Sequence, residues 1–226
     1  MTTILITGAA RGIGRALCED ALRRGWSVIG SVRDAETAKA LEAELGPRFQ
    51  ALVFDVTDAA AVAKAAASLD RPIDILINNA GIIGPDRQSA LDMDFVGFAE
   101  ALAVNVLAPL RIAQMFLPHL KRGDRPRLLT ISSNMGSMSR AGSDHLAYRA
   151  SKAAVNKVSQ GLATDLRRFG IAVAAIHPGW VRTDMGGRGA DIEAAESAKG
   201  ILDIAERLEL AGTGKFLRYD GAEMEW

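Results

Sequence analysis

Short apolar runs alternate with helix-patterned segments along the whole chain, and this alternation constrains the fold more than any other feature. Residues 3–7 form an apolar run that stops at Gly8, and Ile13, Leu17 and Ala21 follow at helical spacing up to Gly25. Further strand-like runs lie at 27–32, 51–54, 73–77, 127–131, 171–176 and 214–218. Helical patterns lie between them at 35–45, 59–69, 92–120, 147–169 and 193–208, with Pro109 expected to kink or break the third of these. Gly46-Pro47 is a strong stop for the helix over 35–45. Such alternation predicts right-handed crossovers, helices on both faces and a mostly parallel sheet of about seven strands.

The chain of 226 residues suits one doubly wound α/β domain over 1–226, with no linker, repeat or charge block. Hydrophobic residues make up 49% but aromatics only 5%, so the core is expected from Ala, Val, Leu and Ile. Lys plus Arg is 27 and Asp plus Glu is 27, which gives no electrostatic case for nucleic acid or an anionic membrane as partner. Cys18 is the single cysteine, so an intrachain disulfide is excluded, and its place in a helical pattern suits a buried hydrophobe. His119, His145 and His177 lack metal-ligand spacing, and no metal is expected. The apolar first ten residues read as a strand without a basic leader, and no other stretch reads as membrane-spanning. A cytoplasmic protein is the expectation.

Gly8, Gly12 and Gly14 punctuate the turn from the first strand into the first helix. Glycines there permit a tight turn and close approach of backbone to a phosphate, while the helix N-terminus presents free N–H groups. The spacing is Gly-x-x-x-Gly-x-Gly rather than the commoner Gly-x-Gly-x-x-Gly.

Three more motifs accompany the turn: Asn78-Asn79-Ala80-Gly81 after the fourth strand, Ser132-Ser133 before Tyr148-Arg149-Ala150-Ser151-Lys152, and Pro178-Gly179 leading to Val181-Arg182-Thr183. Together they resemble the short-chain dehydrogenase/reductase family in its compact, non-extended branch. Residues 131–138, the Tyr148–Lys152 run and Tyr219-Asp220-Gly221 most resemble C-factor-like proteins and sniffer-type carbonyl reductases. The resemblance implies a Rossmann-type fold, an NADP(H) cofactor, and hydride transfer between nicotinamide and a small carbonyl or alcohol substrate. It also admits a second reading, an NADP(H)-binding signalling or regulatory protein with incidental turnover. An extended-branch epimerase or dehydratase is disfavoured, because the chain has no room for a separate substrate domain.

Tyr148 and Lys152 are four apart and share a helix face. Free tyrosine ionises near pH ~10, and a nearby ammonium is expected to bring it into a useful range. By resemblance Tyr148 is the general acid/base and Lys152 also holds the nicotinamide ribose. The resemblance also implies that Ser133 stabilises the substrate oxygen and that Asn105 anchors a proton-relaying water; Ser132 is the rival serine, and strand alternation lets only one of the two face the site. The cofactor contacts implied are Gly8, Arg11, Gly12, Ile13 and Gly14 at the glycine turn, with Asp55 and Val56 at the adenine. Asn78 or Asn79, Ala80 and Gly81 line the ribose, and Pro178, Gly179, Val181 and Thr183 the nicotinamide.

Cofactor choice turns on the end of the second strand. Val32 occupies the position where NAD sites carry an acid, and Arg33 follows it. Arg33 and Arg11 could bracket a 2′-phosphate, and Asp34 is read as the N-cap of the next helix. Residues 185–198 are expected to form a short, open substrate lid, and His145 a loop residue without a role. The Ala-, Leu- and Val-rich helices over 102–120 and 147–169 are expected to pair in a homodimer or homotetramer.

Overall fold

The computed structural model describes all residues, Met1–Trp226. Strands β1 (Thr3–Ile6), β2 (Ser27–Val32), β3 (Phe49–Val53), β4 (Ile75–Asn78), β5 (Arg127–Ile131), β6 (Ala172–His177) and β7 (Lys215–Arg218) form one sheet in the order β3-β2-β1-β4-β5-β6-β7. Every pairing is parallel. The order reverses between β1 and β4, and ligands of such sheets bind in the crevice above a switch point of this kind.

Strands buried on both faces explain the continuous apolar runs. Ile4, Ile6 and Val28 pack with Leu17 of helix α1 (Gly12–Arg23), Leu41 of α2 (Ala35–Leu45) and Ile201 of α8 (Ala194–Arg207). Leu5, Ile29 and Val173 point the other way. There they meet Val62 of α3 (Ala59–Ala67), Ile112 of α5 (Ala108–Met115) and Leu166 of α7 (Leu146–Leu166). Cys18 is buried in the first layer. Strand β3 begins two residues before the expected 51–54. Phe49 pairs with Val28, and its ring fills the space above Gly30, where a Cβ would come within 2.7 Å of it.

Pro109 neither breaks nor ends its helix. Helix α4 (Phe95–Leu102) passes into α5 through a π-turn over Ala103–Leu107, in which Ala108 N donates to Ala103 O. Proline has no N–H for the carbonyl four residues back and its ring crowds that carbonyl. The wider π-turn accommodates both constraints and leaves the Asn105 carbonyl without an i+4 donor. The break comes later, at Phe116, before α6 (Leu117–Leu120). The result corrects a second expectation, since Phe95–Met115 is long and apolar enough to cross a membrane. It packs on α7, α3 and β4, with 33% of its most apolar stretch buried.

Candidate active site

The turn after β1 is built for close backbone approach. Gly8 and Gly12 have φ of +70° and +56°, a region that disfavours other residues. A Cβ on Gly14 would lie 2.1 Å from Gly8 O. Asn79 Nδ2 donates to Thr7 O (2.8 Å) and Gly8 O (3.2 Å), while Asn79 N and Ala80 N donate to Thr7 Oγ1 (both 3.0 Å). Asn79 and Ala80 therefore hold the glycine turn from the neighbouring strand. Asn78 points towards α5 instead, donating to Pro109 O at 3.2 Å. Helix α1 starts at Gly12, Ile13 and Gly14 with no side-chain cap on its N–H groups, which leaves its positive end free for an anion.

At the end of β2, Val32 is buried and Arg33 is exposed. Asp34 accepts from Thr37 N (2.7 Å) and Thr37 Oγ1 (2.9 Å) as the N-cap of α2, and these bonds hold its carboxyl below the usual range. Arg33 makes no ion pair, although its charge also helps to lower Asp55, which is lowered chiefly by its bonds from Thr57. Val56, beside Asp55, is half-buried, and its carbonyl accepts from Arg111 (3.2 Å). Arg11 is already engaged, pairing with Asp184 at 2.8 Å across the mouth of the crevice. No spacing rule signals that pair, because its partners lie 173 residues apart.

Tyr148 and Lys152 are both buried, with Lys152 Nζ 5.6 Å from the phenol ring centroid. Burial pushes the Tyr148 phenol up to about 12 and Lys152 down to about 8. This corrects the expectation that the ammonium would depress the phenol: desolvation raises it, and the opposing contribution comes from Ser133 rather than from Lys152. Ser133 Oγ donates to Asn134 Oδ1 at 3.3 Å, yet it lies close enough to the phenol to oppose the upward shift. Ser132 faces the other way, donating to Asn156 Oδ1 at 2.5 Å. Lys152 Nζ donates to Ile131 O (2.9 Å), and its remaining protons have no hydrogen-bond partner.

Asn105 Oδ1 and Lys152 Nζ converge over Gly81, at 3.1 and 3.6 Å from where a Cβ would sit. Asn105 is fixed by Ile82 N and O (2.9 and 2.8 Å) and donates to Ser151 Oγ (2.9 Å), which donates to Tyr148 O (2.7 Å). Gln88 was missed by sequence reasoning. Its Oε1 accepts from Tyr148 N (3.1 Å) and its carbonyl from Leu146 N (2.8 Å), so it caps α7 where His145, left-handed at φ +50°, offers no cap.

On the far wall, Gly179 (φ +86°) passes so close to Ile192 that a Cβ would lie 2.6 Å from Ile192 Cδ1. Pro178 O accepts from Ser197 (2.7 Å) and Val181 bridges to Ile192. Thr183 sits against the start of α1, its Cγ2 3.2 Å from a Cβ on Gly12. The expected lid over 185–198 is shorter than read, because α8 begins at Ala194 and Ser197 is fully buried. Free donors at the α1 N-terminus, an unpaired Arg33 and a partly satisfied Lys152 lie at the carboxyl ends of β1, β2 and β5, where a phosphorylated dinucleotide fits such a sheet.

Comparison with known proteins agrees. The family model described as short chain dehydrogenase matches residues 2–193. The C-signal protein of Myxococcus xanthus is 41% identical over 158 residues, 69% of this chain and 93% of the relative. The NADPH-bound carbonyl reductase from chicken fatty liver has a TM-score of 0.92 at 32% identity, covering 100% of this chain and 99% of that one. The carbonyl reductase Sniffer of Drosophila melanogaster has a TM-score of 0.93 at 30% identity, covering 100% of both chains. The chain belongs to the short chain dehydrogenase family and, within it, resembles C-factor and sniffer-type proteins.

Proposed function

We propose that the protein is an NADP(H)-dependent oxidoreductase that interconverts a small carbonyl compound and its alcohol. The observation that carries this reading is the convergence of Tyr148, Ser133, Lys152 and Asn105 at one end of the dinucleotide groove. Gly8, Arg11, Gly12, Ile13 and Gly14 would hold the pyrophosphate side, Arg33 the 2′-phosphate, and Asp55 and Val56 the adenine. Asn79, Ala80 and Gly81 would line the ribose side, and Pro178, Gly179, Val181 and Thr183 the nicotinamide side. When bound, the nicotinamide supplies or accepts the hydride.

The remaining chemistry belongs to the chain's own residues. In reduction, Tyr148 gives its phenolic proton to the substrate oxygen, and Ser133 donates a hydrogen bond to the same oxygen as charge develops on it. A phenol kept protonated by burial is competent as an acid. Lys152 stands ready to stabilise the phenolate that results. The Asn105 main-chain carbonyl, which Pro109 leaves without an i+4 donor, would hold a water that returns a proton towards Lys152. Lys152 also has donors to spare for a ribose.

The exposed apolar side chains Phe95, Val96, Leu107 and Met115 support assembly as a homodimer or homotetramer through α4–α5 and α7. Light scattering at micromolar concentration checks this, and a monomer would contradict it. The similarity to C-signal sustains the signalling reading as the rival. NADPH oxidation with a panel of aldehydes, ketones and quinones separates the two: turnover of at least one class supports the enzyme, and NADPH binding without turnover of any class favours the rival.

A further inference from the structure

His177 ends β6 on the face that carries Val173, the α7 side of the sheet. It is 8% exposed, and its Nδ1 has no hydrogen-bond partner. A buried polar nitrogen left unpaired costs about 1–3 kcal/mol. The ring forms part of the wall of a cleft of ≈ 420 Å³, lined also by Asn134, Ser137, Arg140, Arg218 and Glu225. Parallel register sets Arg218 beside His177. Nothing in the oxidoreductase mechanism uses this cleft.

The charges around the ring are unevenly matched. Arg218 is held by Asp220, but Arg140 has no carboxylate partner. Glu223 is taken by Lys215 at 2.7 Å. Burial first, then Arg140 and Arg218, push the imidazole down to about 4, and Asp220 only partly offsets the two cations. The ring is therefore a neutral hydrogen-bonding group in a positive field. Turning it about Cβ–Cγ exchanges a nitrogen for a carbon in the same space, so an N–H can be brought to a ligand.

We propose that this cleft binds a small molecule through a carboxylate, which accepts from the Arg140 guanidinium and from His177, with Arg218 closing the site. Arg140 supplies the planar donor fork that fits a carboxylate. A phosphate is the poorer fit, because Asp220 and Glu225 repel a dianion about twice as strongly as a monoanion. The cleft touches the reaction site through one residue: Asn134 lines it and accepts from Ser133 Oγ at 3.3 Å.

Ligand-observed NMR titration of the wild-type protein with butanoate tests the proposal without any turnover, so it stands or falls apart from the enzymatic reading. Saturable binding with Kd on the order of 1 mM is expected, with no response to the uncharged isostere butanamide. Arg140→Ala, at an exposed position, should weaken butanoate binding at least about tenfold, and the remote Arg168→Ala should leave it unchanged. Inorganic phosphate should displace butanoate poorly. Equal responses to butanoate and butanamide, wild-type binding by Arg140→Ala, equal losses in both arginine variants, or efficient displacement by phosphate would each overturn the proposal.

Discussion

Removing the Arg33 guanidinium should abolish the preference for NADPH over NADH. Arg33 is exposed at the end of β2 and makes no ion pair, so it meets a 2′-phosphate without first giving up a partner. A charge-assisted bond of this kind contributes about 1.5–3 kcal/mol, or roughly a 10- to 150-fold change in Kd. Arg11 starts from a different position, since it must leave Asp184, 2.8 Å away. That pair is 76% and 79% exposed, and breaking such a pair costs about 0–1 kcal/mol. Fluorescence titration of NADPH and NADH against wild type, Arg33→Ala and Asp184→Ala separates the contributions. Arg33→Ala should lose roughly 10- to 150-fold in NADPH affinity and bind NADH as before. Asp184→Ala should bind NADPH up to about fivefold more tightly, because Arg11 is released. Tighter NADH than NADPH binding in the wild type would refute the reasoning and return Asp34 to the ribose.

Gln88→Ala removes the side-chain acceptor of Tyr148 N. It should destabilise the fold by about 1–3 kcal/mol in urea denaturation and lower kcat with little change in NADPH affinity; an unchanged kcat would show that Gln88 does not position Tyr148. His177 makes stability sensitive to acid. Its folded pKa lies near 4, against an ordinary 6.5, so the unfolded chain binds the extra proton between those values. Stability due to this group is fully present above pH ~6.5 and is lost as pH falls towards 4, by about 3 kcal/mol at 1.36 kcal/mol per unit. Unfolding midpoints measured from pH 7 to 4 should show the loss, and a flat profile would contradict it.

Much of the fold was legible because local chemistry and tertiary burial agree. Strand β2 and helix α2 fall where the sequence places them, since Asp34 caps the helix and Gly46 (φ +80°) ends it. The π-turn was hidden because Pro109 signals a break, and only the packing around Asn105 shows that a widened turn serves instead. The glycine turn and the Tyr148–Lys152 pair were visible as spacings. Their electrostatics were not, because the spacing reveals a neighbouring charge but not the burial that shifts both groups. Gln88, the Arg11–Asp184 pair and the unpartnered His177 depend on contacts between distant segments, which a linear pattern does not encode.

The central claim is that Tyr148 delivers the proton in an NADPH-dependent reduction. Single-turnover NADPH oxidation by Tyr148→Phe, with the fastest carbonyl substrate from the panel, tests it most directly. Phenylalanine keeps the buried ring and removes the hydroxyl that carries the transferable proton. The account predicts an NADPH Kd within about twofold of wild type and a rate lower by roughly 10²–10⁴-fold. A rate equal to that of the wild type would contradict it.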